Sequence, residues 1–276
     1  MITFGARVHA LMQSRGPLCV GIDPHPGLLE QWGLPDDITG LESFSLTAAS
    51  ALAPVVAAIK PQSAFFERHG SRGIAVLEQV IGICREAGTQ VILDVKRGDI
   101  GSTSQAYADA YLDPSSPLCA DAITASPYLG FGSLQPMINT ALTHGNGVFV
   151  LALTSNPEAP QVQHARTQNR SVAGEMLAAL GELNQGEEPL GSFGAVVGAT
   201  IGDHQEDLAI NGPLLVPGIG AQGGTVDDVR RIFAGVLNLV LPSSSREVLS
   251  AGPVTGDLVG AAQRAAADFA TLASRD

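Results

Sequence analysis

Short apolar, β-rich runs recur along the whole chain, near Leu18–Asp23, Val55–Lys60, Gln90–Lys96, Ala120–Ser126, Gly147–Ser155, Phe193–Thr200, Pro213–Gly220 and Gly235–Pro242. Helical or loop-like segments separate them, as at Leu41–Leu52, Ile74–Ala87 and Ser171–Leu183. Such alternation predicts parallel strands, because a parallel pair needs a crossover and a helix usually supplies it. About eight runs is what a closed parallel barrel requires, and an alanine-rich helix at Gly256–Ala273 would complete its outer ring. The expected fold is therefore α/β, a (β/α)8 TIM barrel, with residues 1–276 as a single catalytic domain. A doubly wound sheet is the alternative. The barrel is preferred because unusual polar residues cluster at several strand C-termini, the face where barrels carry catalytic groups. Hydrophobic residues make up 45% of the chain and charged residues 15%, which suits a large buried core.

A net charge of −12 argues against a nucleic-acid partner. It also sets a condition on any anionic substrate: basic residues must be concentrated where it binds, because the field of the whole protein repels it. The N-terminus, MITFGARVHALMQSRG, reads as a short amphipathic helix around Phe4, Val8, Leu11 and Met12, without the apolar core or cleavage site of a leader. No apolar stretch is long enough to span a bilayer, so no membrane association is expected. The three cysteines (Cys19, Cys84, Cys119) lie singly in apolar segments without a CxxC pair. Reduced buried thiols and a cytoplasmic location are expected from them. The six histidines show no zinc spacing, and no metal site is expected.

Charge is concentrated in VILDVKRGDIGST, Val91 to Thr103. Side chains alternate along a strand, so Asp94 and Lys96 share a face. Asp99 follows in a turn flanked by Gly98 and Gly101. Lys60 ends the second run, after VVAAI; on the catalytic face it would neighbour these acids and stay protonated. The run VPGIGAQGG, Val216 to Gly224, leaves the seventh strand, where barrels commonly bind phosphate, and its glycines let backbone N–H groups converge on an anion. The eighth run ends in PSSSR, offering Arg246 for bidentate phosphate contact and helix-start amides at Ser245 and Arg246. Asp23 ends the first run in GIDPHP as a turn aspartate before proline, or with His25 as an alternating metal-ligand pair that no other His or acid completes. Ser126 and Ser155 close the fourth and fifth runs, as turn formers or pocket residues. The polar segment Asn156–Arg170 is read as a lid rather than a plain solvated loop, with TSNP at its root. Phe65 and Phe66 are read as core or interface packing.

Five stretches occur in one order over most of the chain: GIDPHP (21–26), IKPQSAFFE (59–67), DVKRGDIGST (94–103), TSNPE (154–158) and VPGIGAQGG (216–224). On these motifs the sequence resembles the orotidine 5′-phosphate decarboxylase family, in the subgroup of longer bacterial chains that carry KRGDIG. The resemblance implies cofactor-free and metal-free decarboxylation of orotidine 5′-phosphate to UMP, the last step of de novo pyrimidine nucleotide synthesis. It makes Lys60, Asp94, Lys96 and Asp99 an alternating catalytic array. It also implies a homodimer with shared sites, because Asp99 and Thr103 would serve the neighbouring subunit's pocket. Asp23 would bind ribose hydroxyls, as suits an acceptor-only carboxylate. Ser155 would meet the pyrimidine edge. Gln222 and Arg246 would hold the phosphate, with Gly223 and Gly224 in the gripping loop. Two positions depart from the family pattern: Ser245 stands where a glycine precedes the arginine, and Glu158 stands where glycine is common.

An array of this kind suits decarboxylation on general grounds. A substrate carboxylate beside Asp94 is electrostatically stressed, and losing neutral CO2 relieves the repulsion. Lys96 can stabilise the negative charge left on the ring carbon and then protonate it. Three rivals remain at this stage. A metal-dependent synthase or epimerase on the same scaffold would lose activity in EDTA. A Schiff-base aldolase would need a neutral lysine, which paired acids oppose. A nucleotide-binding protein without catalysis could dispense with Lys96 and Asp99.

Overall fold

A computed structural model describes residues 1–167, 169–202, 204–220 and 223–273. Strands β1 (Cys19–Ile22), β2 (Ala58–Pro61), β3 (Gln90–Arg97), β4 (Ala122–Ala125), β5 (Gly147–Leu153), β6 (Phe193–Val197), β7 (Leu214–Val216) and β8 (Val240–Ser244) form a closed ring. Each pairs in parallel with its neighbours in chain order, and β8 returns to β1 through Cys19 opposite Ser243. Both faces of such strands are covered, so they read as unbroken apolar runs. Accordingly β1, β2, β4, β6, β7 and β8 are buried at every position.

The outer helices begin where local chemistry starts them. Asp37 caps Ile38–Leu52 by accepting from the N–H groups of Thr39 and Gly40. Ser171 caps Val172–Leu183 through the Gly174 N–H. Thr225 and Asp228 form a reciprocal capping box at the start of Val226–Ile232. The alanine-rich helix runs over Thr255–Ala273, as the pattern predicts. The N-terminal helix, Phe4–Arg15, packs Phe4 edge-on against Phe149 of β5 at 5.8 Å. Its Arg15 donates to the carbonyls of Ala53 and Val56 and to the Thr89 hydroxyl. This helix thus lies at the N-terminal ends of the strands, opposite the face discussed below.

Three regions refine the sequence-based expectation. The eighth strand, expected at Gly235–Pro242, runs over Val240–Ser244, because Gly235 turns at φ +86° and Leu237–Leu239 forms a 3-10 turn. Among the described residues no helix joins β6 to β7. The connecting stretch is irregular, and its buried Leu208 and Ile210 supply the apolar cover a helix would give. His204 and Glu206 tie it down: Glu206 N–H donates to the His204 ring, and the Glu206 carboxylate accepts from the Ser171 hydroxyl at 2.6 Å. The expected lid at 156–170 is not a plain loop. It contains the short helix Pro160–Gln163 and an antiparallel pairing of Arg166–Thr167 with Arg170–Ser171.

Candidate active site

A cavity of about 370 Å³ opens among the C-terminal ends of the strands, within the range of small-molecule sites. Asp23, Lys60, Asp94, Lys96, Thr124 and Arg246 line it together with apolar side chains that include Leu151, Val196 and Leu215. Three cations thus face two carboxylates in a chain whose net charge is −12. That is the local concentration of basic groups an anionic ligand requires here.

Asp94 sits at the centre of this array. Its Oδ2 accepts from Lys60 Nζ at 3.1 Å and its Oδ1 from Lys96 Nζ at 2.5 Å. Oδ1 also accepts from the Thr124 hydroxyl at 2.8 Å. Burial pushes the Asp94 carboxyl up, but Lys60 and Lys96 outweigh it and hold the group well below the usual carboxylate range. Burial opposes the charge on Lys60, yet Asp23 and Asp94 raise its proton affinity above that of an ordinary lysine. Lys60 is only 6% exposed and lies 3.9 Å from Asp23 Oδ1. That Asp23 oxygen is buried and has no hydrogen-bond partner. It is an acceptor without a donor, at the edge of a cavity.

The end of β3 carries Lys96 by an irregular backbone. Pairing with β4 slips between Leu93 and Arg97, and Lys96 adopts φ +45°. This left-handed region costs a non-glycine residue roughly 1–2 kcal/mol. Bulges of this kind redirect a side chain at the rim of a barrel. Here the redirected ammonium folds back over Asp94, so the alternation rule places the pair correctly although the strand is not regular. The next residue, Arg97, is braced from outside: it donates to Glu67 at 2.6 Å, and its guanidinium lies 5.6 Å from the Tyr107 ring centre. Gly98 then passes close to β4, where an added Cβ would stand 2.2 Å from the Ser126 carbonyl oxygen.

The remaining expected residues divide. Arg246 lines the cavity at the start of the short helix Arg246–Leu249, and Ser245 lines it beside β1. Gly21 makes room for Ser245, since a Cβ there would stand 2.0 Å from the serine hydroxyl oxygen. Asp99 and Thr103 do not line this chain's cavity. Asp99 accepts from the Ile100 N–H, and Thr103 is exposed in the first turn of Gly101–Leu112. At the root of the 156–170 segment Thr154, not Ser155, lines the cavity. Thr154 N–H donates to Gln163 Oε1 at 2.9 Å, and Gln163 Nε2 donates back to the Thr154 hydroxyl at 2.7 Å. Gly218 and Ile219 line the cavity, whereas Gly223 and Gly224 turn their N–H groups to the carbonyls of Gly220 and Gly218. Gln222 lies outside the described residues. Ser126 and the two phenylalanines are not in the cavity lining; Phe66 is core, and Phe65 packs edge-on to His25 at 4.3 Å. Thr124 was not anticipated, nor were His25, Ser243 and the apolar wall as lining groups. Nothing in the run AITA marks Thr124 out, since threonine is an ordinary strand former. Among the described residues no group of three His, Cys, Asp or Glu side chains is arranged to hold a metal ion.

A closed parallel barrel in which one cavity gathers a buried lysine and aspartate, an exposed second lysine and an arginine defines a (β/α)8 protein with a site suited to a small anionic ligand. Residues 16–256 match the model of the orotidine 5′-phosphate decarboxylase / HUMPS family, and the chain belongs to that family. It is 68% identical over 253 residues to an orotidine 5′-phosphate decarboxylase of Nocardioides sp. strain JS614, covering 90% of this chain and 92% of the relative. It is 61% identical over 270 residues to that of Salinispora tropica, covering 97% of each. A crystal structure from Streptomyces avermitilis, assigned to the same activity, superposes with a TM-score of 0.97 at 57% identity, covering 100% of this chain and 97% of the other.

Proposed function

We propose that this chain is an orotidine 5′-phosphate decarboxylase that forms UMP and CO2 without metal or organic cofactor, completing de novo UMP synthesis. The observation that carries this reading is Asp94, a buried carboxylate kept ionised between two ammonium groups beside a cavity. Family membership and the two relatives at 68% and 61% identity support the reaction.

The phosphate binds at Arg246, Ser245 and the glycine loop, including Gln222, Gly223 and Gly224; the latter two exchange their internal hydrogen bonds for it. Asp23 accepts from ribose hydroxyls, which supplies the donor its Oδ1 lacks. Thr154 or Ser155 meets the pyrimidine edge. This leaves the substrate carboxylate beside Asp94. The C6–carboxylate bond breaks, CO2 departs neutral, and the bonding pair stays on C6. Lys96 stabilises that pair and gives it a proton, becoming an amine that recovers its proton from solvent. Lys60 stays charged and holds Asp94 in place. Only the transition state places a carbanion beside Lys96, so this contact lowers the barrier rather than merely tightening binding.

The working unit is a homodimer with shared sites, in which Asp99 and Thr103 complete the neighbouring cavity. Neither reaches its own, and the turn that carries Asp99 is bordered by exposed apolar side chains: Ile100 is 62% exposed, Tyr128 77% and Leu129 52%. The chain works as one catalytic domain in the cytoplasm, and neither nucleic acid nor membrane is a partner; no helix of the described residues is long and apolar enough to cross a membrane. The test is loss of the orotidine ring absorbance on adding purified protein in excess EDTA. Rapid loss is expected, with none in Lys96→Ala despite a native circular dichroism spectrum. Activity restored only by a divalent metal, or retained in Lys96→Ala, overturns the reading.

A further inference from the structure

We propose that Thr124 is a positioning residue for the reaction, its single hydroxyl fixing both the carboxylate of Asp94 and the backbone that carries Lys96; this rests on the decarboxylase reading above. Thr124 lies within β4 and is 1% exposed. Its Oγ1 accepts from the Lys96 N–H at 2.9 Å and donates to Asp94 Oδ1 at 2.8 Å. The polarity of this chain of bonds is fixed by chemistry. An amide N–H can only donate, so the hydroxyl oxygen must accept there. An ionised carboxylate can only accept, so the single hydroxyl proton must point to Asp94.

Each bond answers a specific weakness. The Lys96 amide sits where the β3–β4 ladder has slipped and where the backbone is left-handed. A buried N–H at such a bulge needs a partner from outside the ladder. Asp94 faces Lys60 from β2 and Lys96 from its own strand, with Asp23 and the Cys19 thiol of β1 beyond Lys60. When Lys96 surrenders its proton to the carbanion, Asp94 Oδ1 loses its charged partner. The Thr124 hydroxyl stays, so the carboxylate does not swing while CO2 leaves.

The test is steady-state turnover of orotidine 5′-phosphate by the full-length dimer, unaltered and as Thr124→Ser, Thr124→Val and Thr124→Ala. Loss of a hydrogen bond to a charged group predicts a fall in kcat of roughly 10- to 100-fold in the Val and Ala variants. KM should change little. Thr124→Ser should recover most of kcat. The acid limb of kcat/KM should not move in Thr124→Val, because Lys60 and Lys96 still hold Asp94 ionised. Wild-type kcat in Thr124→Val overturns the proposal. So does a rise in KM at constant kcat, which would make Thr124 a substrate-binding group. Equal damage in the Ser and Ala variants overturns it too, since the methyl group would then be responsible. That Ser–Ala comparison decides the matter even if the Val variant does not fold. Absence of turnover in the unaltered chain removes the decarboxylase reading itself, and this inference with it.

Discussion

Replacing Lys60 with methionine keeps the length of the side chain and deletes its charge. Asp23 then loses its nearest cation and Asp94 one of its two ammonium partners. At an effective dielectric of ~20 the 3.1 Å contact to Asp94 is worth about 5 kcal/mol and the 3.9 Å contact to Asp23 about 4 kcal/mol, before desolvation. Desolvation of the ions offsets much of that in the native protein. Deleting one partner of a buried set therefore costs about 3–5 kcal/mol. For a domain of this size that corresponds to a fall in Tm on the order of 10 °C.

The pH dependence gives the prediction a second edge. The native pKa of Asp94 is depressed, so its contribution is present above the unfolded carboxylate pKa and is lost as pH falls through the native value. The raised pKa of Lys60 makes its contribution complete below the ordinary lysine pKa, and it is lost only as pH rises through the higher native value. The difference in Tm between native and Lys60→Met protein should thus be constant from about pH 5 to 10 and narrow only as pH falls below about 4. Scanning calorimetry or circular dichroism melts across that range would measure it. A variant that melts with the native protein at neutral pH, or a deficit that ignores pH, would refute the electrostatic account of the cavity.

Arg246→Ala should raise KM for orotidine 5′-phosphate by roughly 10- to 100-fold, as expected for loss of a charged hydrogen bond, with a smaller change in kcat; an unchanged KM contradicts the phosphate role. Mixing inactive Lys96→Ala and Asp99→Ala proteins under subunit exchange should restore about a quarter of native activity, since half the dimers are mixed and each has one intact site. No recovery, with exchange verified, contradicts the shared site. Burial pushes the Cys19 and Cys84 thiols up to about 12. Iodoacetamide at pH 8 should leave both unmodified in native protein and label both after unfolding; fast native labelling would contradict their placement in the core.

The ionic set was legible because Asp94 and Lys96 stand two residues apart at one strand end and a barrel brings Lys60 alongside, although it is the bulge at Lys96 that turns its ammonium onto Asp94. Thr124 was not legible, because a threonine in a buried strand is an ordinary β-former until the slip between β3 and β4 is known. Ser155 was the hydroxyl expected at the cavity, and Thr154 lines it for a related reason. Pairing of β5 with β6 slips between Leu151 and Leu153, and a one-residue offset exchanges which hydroxyl faces the cavity. The glycine loop was recognisable as flexible backbone, but not that Gly223 and Gly224 bond inward to Gly220 and Gly218, which are contacts made only after folding.

Diffraction from crystals grown with a 6-substituted UMP analogue would examine the heart of the account. The substituent should lie against Asp94, Lys96 Nζ should reach C6 within hydrogen-bond range, and Asp99 of the second subunit should approach from across the interface. A pyrimidine bound elsewhere, or a C6 facing the apolar wall with both lysines turned aside, would contradict it.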